Sequence, residues 1–240
     1  MRYSSKTLHI LKPLISEDDD IHFLKNIDSI CVEIEKNSEN KNTLCKKAND
    51  ILGKNFPKKD ISCDTNASGR TCYGLDKDDR MQDLFFEILS YEYLNKNGYS
   101  NIKFLEGEGL PDLKGNKNDK VFFAESKFIH RPRIERDRLM LAELDADGIP
   151  EVSVNDVDDI NFMIEKVQHK FQSDIANAKK KFEKVRTEKQ NRIIIFSFEP
   201  SIGTVIRKKE NIKFFSENFL FKCKQEFDIG EITQVLTLDT

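Results

Sequence analysis

The sequence predicts an α/β protein, a mixed central sheet flanked by helices and preceded by a helical N-terminal region. Apolar residues recur at helical spacing along 21–34 and 78–97, and strand-like pieces follow at 102–105, 111–114 and 121–128. RIIIFSF (192–198) is an unbroken apolar run, the pattern of a strand covered on both faces.

Each element has its own local reason. In the N-terminal part, Ile21, Leu24, Ile27, Ile30, Cys31 and Ile34 are spaced three and four apart, and Ser16 before Glu17, Asp18 and Asp19 offers a cap. A second helix is expected over 43–52, stopped by Gly53. The stretch 64–74, with Asn66, Ser68, Gly69 and Gly74, reads as a loop and sets a boundary. It divides a region 1–74 serving recognition or assembly from a domain over 75–240. Met81, Leu84, Phe85, Ile88, Leu89, Tyr91 and Leu94 give 78–97 an apolar face, and Gly98 ends it. KGNKNDK (114–120) reads as the polar turn of a hairpin. One long helix or two fill 160–189, and alternation near the C-terminus ends in an edge strand over 231–238.

Hydrophobic residues make up 38% and charged residues 34% of the 240, which indicates a soluble globular chain with a charged surface. A net charge of −3 excludes a protein that coats nucleic acid through bulk charge. The charge is segregated. Residues 139–165 form an acidic insert holding Glu143, Asp145, Asp147, Glu151, Asp156, Asp158, Asp159 and Glu165 with no Lys or Arg, and a basic stretch follows. The insert reads as a solvated loop, a shield for the site or a surface for a basic partner. Five cysteines without a C-x-x-C pair signal neither a disulfide framework nor a zinc finger. No signal peptide or membrane-length apolar run is seen, so a cytoplasmic location is expected. Walker, H-E-x-x-H and G-x-S-x-G motifs are missing.

The chemistry concentrates in one hairpin. Side chains alternate along a strand, so Val121, Phe123, Glu125 and Lys127 share a face and the last two point together. A carboxylate and an ammonium ending an apolar strand need partners or a metal. Asp112 on the preceding strand can reach the same spot. Two carboxylates suit a hard cation such as Mg²⁺, which offsets phosphate charge and activates water; Lys127 would then orient or deprotonate that water.

Leu110-Pro111-Asp112, twelve intervening residues, then Glu125-Ser126-Lys127 resembles the PD-(D/E)XK nuclease superfamily. The preceding helix also resembles the pattern of its resolvase-like and restriction-endonuclease-like members, through Glu87, Tyr93, Leu94, Gly98 and Tyr99. The resemblance covers about 78–198 and implies a restriction-endonuclease-like core. It further implies metal ligation by Asp112 and Glu125 with Glu87 supporting, catalysis by these with Lys127, and Mg²⁺ as cofactor with Mn²⁺ as a substitute. DNA is the implied substrate and restriction or phage defence the implied role. RNA cleavage by the same site, or an inactive nucleic-acid-binding or assembly module, are the alternatives. Asp83 and Glu92 compete with Glu87. Arg131, Arg133, Arg136 and Arg138, beside His130, and Lys180 with Lys179 and Lys181, read equally as phosphate contacts or as solvated charge. Cutting both strands of a duplex would call for a homodimer.

Overall fold

The computed structural model describes residues 27–53, 74–130, 157–198 and 215–235. Along them run α1 (Ile27–Glu35), α2 (Ser38–Gly53), α3 (Gly74–Lys96), β1 (Ser100–Phe104), β2 (Leu113–Lys117) and β3 (Lys120–Ile129). Next come α4 (Val157–Lys184), β4 (Arg192–Phe198), α5 (Glu217–Glu226) and β5 (Glu231–Gln234). The strands form one five-stranded sheet in the order β1-β2-β3-β4-β5. β1, β2 and β3 are antiparallel neighbours, whereas β3, β4 and β5 run parallel. The protein is therefore α/β with a mixed sheet flanked by helices.

β4 holds the layers together. Ile193, Ile194, Ile195 and Phe196 are all buried, and alternation sends them to opposite faces. Ile193 and Ile195 join Ala124, Phe128 and the apolar faces of α1, α2 and α3; Ile194 and Phe196 join Ile129, Val167, Phe171, Ile175 and Phe182 under α4. Each such side chain contributes about 1.5–3 kcal/mol by leaving water, which is why this run is a central strand. Phe171, Phe196, Phe198, Phe215 and Phe219 stack around the start of α5 and extend the second layer.

The structure moves several expected boundaries. α2 begins at Ser38 rather than 43, because Asn37 Oδ1 accepts from the N–H groups of Glu39 at 3.0 Å and Asn40 at 3.2 Å and so caps it. α3 starts at Gly74 instead of 78. Its end follows the glycine rule: Gly98, at φ 80°, donates to Asn95 O and Tyr99 N–H donates to Leu94 O at 3.0 Å, with Tyr99 and Leu94 both buried. The hairpin turn is shorter than KGNKNDK. Lys117 pairs with Lys120, leaving only Asn118 (φ 51°) and Asp119 (φ 60°), whose left-handed backbone matches the twist of the flanking strands. The long helix is single.

The alternating pattern expected near the C-terminus includes α5, capped by Ser216 Oγ accepting from Phe219 N–H at 3.1 Å. β5 lies at the sheet edge, as expected for 231–238, of which 236–238 fall outside the described residues. Also outside them are Ser16, Ile21 and Leu24, the loop 64–73, Cys63, Cys72, Arg131, Arg133, Arg136, Arg138 and 139–156 of the acidic insert. Cys45 and Cys223 are free thiols. No helix among the described residues is long and apolar enough to cross a membrane.

Candidate functional site

Strand register brings the first two carboxylates together. β2 and β3 pair from Lys117 opposite Lys120 to Leu113 opposite Ala124, and one further step sets Asp112 opposite Glu125. There β2 stops, while β3 continues to Ile129 with β4 on its other side. Past this fork the Ser126 N–H turns to a side chain and donates to Asp112 Oδ2 at 2.8 Å. The Asp112 carbonyl accepts from Leu105 N–H at 2.8 Å, so backbone and side chain are both held.

Glu125 is fully buried, and Lys127 lies beside it as strand parity requires. Its Oε1 accepts from Lys127 Nζ at 2.6 Å and from Lys181 Nζ of α4 at 2.5 Å. Among the described residues, Glu125 Oε2 is buried without a hydrogen-bond partner. Lys181 also reaches Asp112 Oδ1 at 3.4 Å, bridging the two carboxylates. Glu87 comes from α3 and is paired with Lys47 of α2, both side chains largely buried. The competing acids turn elsewhere: Asp83 contacts His130 Nε2 at 2.9 Å, and Glu92 pairs with Lys96 at 2.7 Å. Three carboxylates and three ammoniums thus converge from α2, α3, β3, α4 and the entry to β2.

Burial and neighbouring charge push these groups apart. Burial, then the Asp112 charge, raise Glu87 from the usual carboxylate range to about 7 against the pull of Lys47. Burial and Asp112 likewise raise Glu125. Burial also opposes the Asp112 charge, yet Lys181, Lys127, Lys47 and the Ser126 N–H outweigh it and hold that carboxyl below its ordinary value. The Lys127 ammonium loses water, but Glu125 and Asp112 hold it above the ordinary lysine value. Held in this way, the Lys127 ammonium is placed to donate and to stabilise negative charge.

The donor set agrees with a hard divalent cation in kind, since it consists of carboxylate oxygens and includes the orphaned Glu125 Oε2. In spacing it does not yet form a cage: among the described residues no three His, Cys, Asp or Glu side chains are grouped so as to hold a metal ion. Lys181 and Lys47 supply positive charge there instead.

Both lysines are members of the site that sequence reasoning missed. The sequence leaves Lys181 as a phosphate contact or solvated charge and gives Lys47 no role. Each carries the same signal, a charge on an apolar helical stripe: Lys47 between Leu44 and Ile51, Lys181 between Ala178 and Val185. Glu87, between Leu84 and Tyr91, obeys the same rule. Lys180 is exposed, and Lys179 lies 4.0 Å from Glu183 on its own helix. His169 is exposed, and His130 is buried on the α3 side of β3. Comparison of the chain with family models, with curated proteins and with solved structures finds no match.

Proposed function

We propose that this protein is a metal-dependent nuclease that hydrolyses DNA phosphodiester bonds, with a restriction-endonuclease-like core. The observation that carries the reading is the convergence of Asp112, Glu125 and Lys127 with Glu87 at the fork between β2 and β3, where Glu125 Oε2 is buried without a partner. The element order supports the same core: α3, the antiparallel β1-β2-β3, then α4 and a parallel β4.

In this reading Asp112 and Glu125 would hold Mg²⁺, or Mn²⁺ in its place, with Glu87 supporting. Bound there, the ion supplies charge neutralisation for the phosphate and a more acidic water. The chain's own residues do the rest. Ser126 N–H and Leu105 N–H fix Asp112, whose Oδ1 meets Lys181 at 3.4 Å. Lys127 donates toward the attacking oxygen or the charged phosphate, a role that suits its firmly held proton. Glu87, raised to about 7, is the carboxyl best able to exchange a proton near neutrality. A defence or restriction role rests on the resemblance alone. A homodimer would let two sites cut both strands.

One observation favours the rival of a non-cutting binding module: the ammoniums of Lys181 and Lys47 already balance the carboxylates. The two readings separate when the purified protein is incubated with plasmid DNA and with RNA, in Mg²⁺ and in EDTA. Cleavage of DNA in Mg²⁺ alone, lost in Asp112→Asn, is the expected result. Cleavage of RNA only would move the substrate class, and no cleavage of either by a protein that binds DNA would establish the binding module.

A further inference from the structure

The carboxylates at the fork already have ammonium partners without any added ion. Glu87, Asp112 and Glu125 face Lys47, Lys127 and Lys181, and Asp174 also acts on Lys127. Glu125 is fully buried and the lysine side chains keep 19–26% of their exposure, so the cluster lies where charge imbalance is expensive. A divalent cation brings two further positive charges. Its entry is favoured when an ammonium retreats, a carboxyl gives up its proton or an anion arrives with it.

Among the three lysines, one is placed to retreat. Lys127 is tied to β3, two residues from Glu125, and stays next to it whatever happens. Lys47 makes its ion pair with Glu87 and acts on Asp112 and Glu125 only through its charge. Of the three, Lys181 spans Asp112 Oδ1 and Glu125 Oε1, the carboxylates that would hold the cation, and it does so from the last turn of α4 on a flexible four-carbon stem. The helix approaches closely because Ala178, one turn earlier, is small and fully buried.

Building on the nuclease reading, we propose that Lys181 is an internal counter-ion that competes with the divalent cation for Asp112 and Glu125 and transfers to the substrate phosphate when that cation binds. Cation and nucleic acid are then coupled ligands. Each phosphodiester supplies the negative charge that lets Lys181 leave the carboxylates, so each ligand tightens the other reciprocally. The protein alone holds the cation weakly, which keeps the site idle until DNA is present.

The test uses the full chain, Mn²⁺ alone as probe, and calorimetric titration with and without a DNA duplex in a non-cleaving setting (Lys127→Met background). Lys181→Met should bind Mn²⁺ about tenfold more tightly than its parent without DNA, the expected scale for removing one adjacent charge. It should also lose most of the DNA-induced gain in Mn²⁺ affinity, while Lys181→Arg keeps that gain. In EDTA, Lys181→Met should melt below its parent, and Mn²⁺ should raise its melting temperature by more. Unchanged or weaker Mn²⁺ binding by a folded Lys181→Met, with binding still abolished by Glu125→Gln, would overturn the counter-ion while sparing the metal site. Failure of every version to bind Mn²⁺, with or without DNA, would remove both this inference and the nuclease reading.

Discussion

Replacing Glu125 by Gln keeps the shape of the side chain and deletes the charge on which two lysines converge. At neutral pH the change leaves Lys127 and Lys181, 21% and 26% exposed, sharing one neutral amide oxygen and facing Asp112, with Asp174 also acting on Lys127. Breaking a fully buried pair by removing one partner costs about 3–5 kcal/mol. Two effects reduce this here: both ammoniums keep some contact with water, and the carboxylate's own desolvation penalty disappears. A net loss of about 1–2 kcal/mol in the absence of divalent cation is expected. Cleavage should fall by about 10³-fold or more, because a ligand and the partner that positions Lys127 are lost together. Urea unfolding in EDTA measures the first quantity, and supercoiled-plasmid nicking in Mg²⁺ measures the second. A double-mutant cycle with Lys127→Met should show coupling of at least about 1 kcal/mol. Cleavage within tenfold of wild type, with contaminating nuclease excluded, would refute the assignment of Glu125. Strict additivity with Lys127→Met would refute the electrostatic reasoning even if activity were lost.

Lys127→Ala leaves both carboxylates in place, so Mn²⁺ affinity measured by titration should hold or rise while plasmid nicking falls at least a hundredfold. Glu87→Ala should give a milder loss than Asp112→Ala, partly restored by exchanging Mg²⁺ for Mn²⁺ in the same assay. The pKa of Glu87, about 7 in the fold, lies above its ordinary value, so the folded state holds the extra proton and stability in EDTA should decline as pH rises from about 4.5 to 7. Glu87→Gln should flatten that part of the profile in urea unfolding followed against pH. Asn40 is buried, donates to Ile102 O at 2.8 Å and accepts from Phe104 N–H at 3.1 Å, tying α2 to the edge strand β1. Asn40→Ala strands both backbone groups and should cost about 2–4 kcal/mol in urea unfolding.

How far the site was legible depended on how local its geometry is. Glu125 and Lys127 are two residues apart on one strand, and alternation alone sets them side by side. Asp112 follows almost as directly, because antiparallel register across a tight hairpin carries it opposite Glu125. The turn itself was misjudged because a polar stretch does not reveal which two of its residues take the left-handed backbone. α5 was missed for a related reason: Phe219, Leu220, Cys223 and Phe227 satisfy a helical repeat that was read as alternation. The early start of α2 rested on Asn37, whose capping side chain was present in the sequence but not weighed.

By itself the sequence determined the α/β class, the buried strand at 192–198, and the shared face of Glu125 and Lys127. These follow from periodicity and from the need to bury apolar side chains, which are properties of short segments. Only the tertiary structure decided which of Asp83, Glu87 and Glu92 turns inward, that Lys181 rather than Lys180 meets the carboxylates, and that Lys47 from α2 joins them. Those choices depend on the rotation and approach of whole helices against the sheet. Residues far apart in the chain, such as Lys47, Asp112 and Lys181, acquire their charge environment only once the packed layers exclude water from the space they share.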